Sequence, residues 1–218
     1  MALPIVVEIS PKKAFASALD WPGWSRSGKT PDEAIESLLA YAPRYAAVAK
    51  RAKVAFDPPA TARGVETVER QTGGSGTAFG VPSLAAKSEA ESLTGRDLDR
   101  LVALLEAAWV TFDRAAAKTE GTSLRLGPRG GGRQVPKIVE HVREAEAAYV
   151  HQLGVKVRSA TGMTALRAAF LDALRRIAAG EPLPEPNKVR RPWTPRYAVR
   201  RSAWHALDHA WEIEDRSS

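Results

Sequence analysis

His205 and His209 stand four residues apart in a segment whose pattern predicts a helix, and His141 lies inside an earlier predicted helix. Imidazoles one helical turn apart can share a metal ion, and a ligand from a neighbouring helix completes a facial set. On a helix, His205, His209 and Glu212 fall within about 60° of one another. They lie at the edge of an apolar arc formed by Ala203, Trp204, Ala206, Leu207, Ala210 and Trp211. His141 likewise flanks the apolar stripe of its own helix. If the two helices are neighbours, three neutral imidazoles converge and leave coordination positions open for water or substrate. Glu212 could ligate the ion or orient an imidazole from behind. The competing reading is that these histidines hydrogen-bond locally or face solvent.

A second constellation precedes His141 by about two turns. Gly127-Pro-Arg129-Gly130-Gly131-Gly132-Arg133 leads directly into the same predicted helix. Glycines let backbone N–H groups turn toward one ligand, and the helix N-terminus adds positive potential. Arg129 and Arg133 could fork onto a carboxylate or phosphate. The loop is therefore a candidate anion site, with a plain inter-helix loop as the alternative. Arg190, Arg191 and Arg196 could share its mouth.

A third pattern misleads. Gly23 to Thr30 fits the phosphate-loop signature GxxxxGK[ST]. That loop needs a helix already under way at the lysine. Here Thr30, Pro31 and Glu33 read as N-cap, first helical position and capping box, so the helix begins too late.

The elements that must position these residues divide into two groups. Residues 5–9 and 14–19 read as strands separated by the Ser10-Pro11 turn, and Trp21-Pro22-Gly23 ends the second. A helix starts at Thr30, with Ala34, Ile35, Leu38, Leu39, Ala42 and Tyr45 on its apolar face. A strand follows over 65–70, and 73–92, rich in Gly, Ser and Ala, reads as a linker. Four amphipathic helices are expected at about 94–118, 135–153, 163–179 and 195–215, the last opened by Thr194 and Pro195. The fold class is α+β: a small strand-strand-helix unit over 1–72, the linker, and a four-helix up-and-down bundle over 93–218.

Composition narrows the chemistry. The chain has 218 residues and no cysteine, so any metal must be held by nitrogen and oxygen and any thiol must arrive as a cosubstrate. No apolar run approaches the ~18 residues that span a bilayer, and the N-terminus has no basic region before its apolar run, so a cytoplasmic, non-membrane protein is expected. The net charge of +7 concentrates in Arg125 to Lys137 and Lys188 to Arg201. Such a surface attracts acidic small molecules. Neither stretch interleaves aromatics with base-reading side chains, so nucleic acid is not an expected partner.

Two resemblances bear on this reading. Ala18-Leu-Asp20-Trp-Pro22-Gly23, followed by Ser27-Gly-Lys-Thr30-Pro-Asp-Glu33-Ala34, resembles the HicB antitoxin family over about 40 residues, within Val7 to Tyr45. This resemblance implies a small α/β domain that packs against partners, so residues 1–72 could recruit a protein. Ile138-Val-Glu-His141-Val-Arg-Glu144-Ala-Glu146, with Trp193-Thr-Pro195 and Ala198 to Glu214, resembles the DinB superfamily over residues 93–218. That resemblance implies a four-helix bundle holding a divalent metal on His141, His205 and His209. It also implies, for some members, transferases or isomerases that use low-molecular-weight thiols.

The expected function is therefore a metal-dependent transferase or hydrolase acting on an acidic small molecule. The ion would be Zn, Ni or Fe, with a low-molecular-weight thiol as cosubstrate and Glu144 or Glu212 moving protons. The alternative is a non-catalytic binding or regulatory module whose N-terminal unit recruits a partner. A homodimer is compatible with either.

Overall fold

The computed structural model describes residues 2–126, 132–158 and 160–217. It is α+β, with a four-stranded mixed sheet at the N-terminus followed by helices. Strands β1 (Leu3–Ile9), β2 (Ala14–Ala18), β3 (Ser25–Gly28) and β4 (Val65–Thr72) lie in the order β3-β2-β1-β4. The first three form an antiparallel meander, and β4 returns parallel to β1. A register shift between Ile5 and Val6 leaves Val68 without a partner on this edge strand. Such a bulge blunts the edge against further pairing.

Strand β3 was not expected. It occupies the middle of the phosphate-loop signature, and that placement disposes of the signature. Ser25 donates its N–H to Gly23 O, and Lys29 donates its N–H to Glu33 Oε2, so these amides are turned to protein acceptors. The helix then begins as its cap residues dictate: the Thr30 hydroxyl accepts from the Glu33 N–H at 3.2 Å. The Glu33 side chain reaches Lys29, one residue before the cap. The single helix expected here is two, α1 (Pro31–Ala40) and α2 (Ala42–Arg51), broken at Tyr41 just before the Ala42-Pro43 pair.

Residues 73–92, expected as a linker, are packed. They form the short helix α3 (Ser75–Phe79) and a 3₁₀ turn at Lys87–Ala90. Buried carboxylates hold them in place. Glu8 of β1 accepts from the Thr77 hydroxyl and from the Ser83 and Leu84 amides. Glu89 accepts from the Ala86 amide and takes a bidentate fork from Arg200 at 2.6 and 2.8 Å. Small residues read as linker because their anchors lie far away in sequence.

Four long helices follow: α4 (Gly95–Lys118), α5 (Val135–Gln152), α6 (Met163–Ala179) and α7 (Pro195–Ser217). All four fall where the apolar periodicity places them. Thr194 stands at the N-cap position, its carbonyl accepting from the Ala198 N–H at 2.9 Å, but its hydroxyl is buried without a hydrogen-bond partner. Helix α4 packs on α6 and α7, and α5 packs on α6 and α7. Helix α7 is buried nearly all round because the sheet unit covers another of its sides. One apolar core runs from Ile5, Trp24, Leu38 and Tyr45 through Leu105 and Phe112 to Ala203, Leu207 and Trp211. Gly23 is the contact point. Its φ is +90°, and a Cβ there would meet Leu207 Cδ1 at 2.7 Å.

Candidate metal centre

Helix α7 carries polar groups on the strip that faces α5. His205 is buried, and His209 and Glu212 are half-buried. His141 projects from α5 toward them. The ring centroids of His141, His205 and His209 lie 4.6–5.0 Å apart. One ligand nitrogen from each ring can be chosen so that all three lie within 4.8 Å of one another. The Nε2 atoms of His141 and His205 are 3.3 Å apart. Two nitrogens held about 2.0–2.1 Å from a tetrahedral zinc ion stand about 3.3 Å apart, so this pair already has the spacing of a shared ion.

The surroundings suit this role. Glu212 Oε2 lies 2.8 Å from His209 Nδ1, which fixes the Nδ1–H tautomer and leaves Nε2 as the ligating nitrogen. The other Glu212 oxygen accepts from Arg216 at 2.7 Å. Arg216 also donates to the carbonyls of Arg125 and Arg133, both at 2.8 Å. The loop before α5 is thus tied to His209 of the cluster through two side chains of α7.

The electrostatics favour neutral imidazoles. Burial holds His205 well below the ordinary imidazole range, reinforced by His209, Arg201, His141 and Arg133. His141 is lowered first by burial and then by His209 and Arg133. The Glu212 carboxyl is held below its usual range by its hydrogen bond to His209, against the opposing effect of burial. Neutral imidazoles beside a carboxylate are the protonation states that a divalent cation requires.

The other expected residues are placed as follows. Glu144 is exposed on α5, one turn after His141, and close enough to act on its charge. Glu212 stands behind His209. Of the anion loop, Arg129, Gly130 and Gly131 lie outside the described residues. Gly132 and Arg133 border the site, Gly132 against the Arg216 guanidinium and Arg133 near enough to lower both His141 and His205. Arg196 does not share this mouth, because it turns to Asp97 at 2.7 Å. Ile213, one turn beyond His209, is fully buried in the core. A cavity of about 590 Å³ between the end of α4 and the start of α5 is lined by Thr119, Val135 and Val139 and includes none of the three histidines.

Sequence reasoning missed Arg216 and Arg201. Arg216 follows Glu212 at i,i+4, a spacing that signals an ion pair, but its loop carbonyls give no sequence signal. No family model, curated protein or solved structure matches this chain.

Proposed function

We propose that this chain holds one divalent metal ion on His141, His205 and His209 and uses it to transform an acidic small molecule, with a low-molecular-weight thiol as cosubstrate. The observation that carries the reading is the meeting of three imidazoles from two helices, with a carboxylate fixing one of them. When bound, Zn, Ni or Fe at this position would act as a Lewis acid on a water or thiol. Glu212 orients His209, and Glu144, exposed one turn from His141, is the proton carrier on the open side. Arg133 and the loop it ends supply positive charge for the acidic substrate. The reading extends to architecture: α4 to α7 form a DinB-like up-and-down bundle, and residues 1–72 form a HicB-like unit packed against its last helix. The activity is that of a thiol-dependent transferase or of a hydrolase.

Cobalt substitution tests this directly. The chain has no cysteine, so a thiolate-to-cobalt charge-transfer band in the full chain loaded with Co(II) can come only from added thiol. The expected result is uptake of Co(II) followed by that band on addition of a small thiol such as 2-mercaptoethanol. Uptake without the band removes the thiol chemistry and leaves the hydrolase. Absence of uptake removes the metal.

A further inference from the structure

Arg201 lies on α7 one turn before His205. Its guanidinium carbon is 4.6 Å from the centroid of the Trp204 ring and 5.5 Å from that of Tyr149. Both rings also touch the histidine cluster. Tyr149 stands edge-on to His205 at 5.8 Å, and Trp204 is tilted against it at 6.1 Å. Two aromatic side chains therefore join this cation to the metal position.

The cation packs on two rings but has no ion-pair partner among the described residues. Arg201 Nη1 is buried and makes no hydrogen bond, and among the described residues no carboxylate forms an ion pair with Arg201. Its neighbours differ. Arg200 is forked onto Glu89, and Arg216 holds Glu212. The nearby carboxylates are committed elsewhere: Asp208 to Arg26, Glu212 to His209 and Arg216, and Glu146 to Arg167. What sets Arg201 apart from Arg26 and Arg216, which also carry one buried nitrogen without an acceptor, is that it has no carboxylate partner as well, so its charge is open to an anion from outside the chain. Nη1 itself is enclosed, but Arg201 as a whole is only partly buried, so an anion can reach the other N–H groups of the guanidinium.

We propose that Arg201 binds one carboxylate of an organic diacid whose other end reaches the metal position between His141, His205 and His209. This rests on the metal reading above and names the substrate class for the same site. A guanidinium presents two parallel N–H groups to a carboxylate, and the flanking rings fix its plane. Positions 201 and 205 are one turn apart, about 6 Å along the helix axis, so Arg201 and His205 leave α7 on the same side and a short diacid can address both.

The test uses the full chain loaded with Co(II), titrated with succinate and with acetate while the cobalt spectrum is followed. Wild type should bind succinate at least about tenfold more tightly than acetate. R201Q should lose about tenfold or more for succinate, with acetate affinity and Co(II) content unchanged. R201K keeps the charge but loses the fork, and should fall between the two. R201Q binding succinate as tightly as wild type at full Co(II) content overturns the proposal. Should R201Q fail to fold, R201K decides: unchanged affinity for both anions overturns it, and a loss confined to succinate supports it. Equal affinity of the wild type for both anions overturns this inference alone. No Co(II) uptake by the wild type overturns the metal reading and this inference with it.

Discussion

His209 Nδ1 and Glu212 Oε2 lie 2.8 Å apart on one face of α7, and the second Glu212 oxygen is held by Arg216 at 2.7 Å. The carboxylate is thus shared between an imidazole of the histidine cluster and a cation that grips the loop before α5. Outer partners of this kind set the tautomer and basicity of a ligand. Glu212→Gln keeps the shape and removes the charge. It should weaken metal binding by about 10–100-fold while the circular dichroism stays unchanged. Competition against a chromogenic chelator measures this, and an undiminished affinity would show that His209 does not depend on Glu212.

Gly132 makes the same relay vulnerable from the loop side. Its φ is +141°, and a Cβ would meet Arg216 Nη2 at 2.5 Å. Arg216 cannot simply step aside, because Glu212 and two carbonyls hold it. Gly132→Ala should therefore lower metal affinity, by less than Glu212→Gln does, and slightly lower the melting temperature. A variant with wild-type affinity would mean that loop and ligand are uncoupled.

The imidazoles also make stability depend on pH. Because burial holds His205 and His141 neutral in the folded protein, the unfolded chain binds more protons at these rings once the pH falls below about 6.5. Their contribution is complete above that pH and is lost as the pH falls beneath it. Glu146 acts in the opposite sense. Burial pushes its carboxyl up to about 7, against the pull of Arg167, so its contribution is present in acid and lost as the pH rises toward 7. The difference between proteins isolates the imidazole. Between pH 7 and pH 5, without metal, wild type should lose melting temperature more steeply than His205→Gln. Parallel curves would show that His205 is not held neutral.

Arg200 and Glu89 form the most deeply buried ion pair among the described residues, with side chains 2% and 6% exposed. Both oxygens of Glu89 are used, and Arg200 also donates to Leu84 O. Removing one partner strands the other charge, so Glu89→Ala should cost about 3–5 kcal/mol. Glu89→Leu with Arg200→Met should recover most of that loss. Urea denaturation of the single and double variants decides it. A single variant with wild-type stability would mean that 73–92 contributes little to the fold.

The long helices were legible because each carries an apolar stripe over many turns, and α7 begins at Pro195 as its sequence signals. The histidine cluster was legible because His205 and His209 sit at i,i+4 and His141 lies on a neighbouring helix whose position the apolar periodicity gives. Three features were not legible. Strand β3 is only four residues long and lacks alternation, and a phosphate-loop signature overlies it. The order in 73–92 depends on Glu8 and on the grip of Arg200 on Glu89, and both Glu8 and Arg200 are distant in sequence. Arg201 reads as one more surface cation until the rings of Tyr149 and Trp204 are seen around it.

The central claim is that His141, His205 and His209 meet on one ion. Elemental analysis of untagged protein, dialysed and compared with the His205→Ala/His209→Ala double variant, tests it most directly. The expected result is about one equivalent of a divalent transition metal per wild-type chain and a trace in the variant. Equal metal content in the two proteins, or none in the wild type after loading with zinc, nickel or iron, would contradict it.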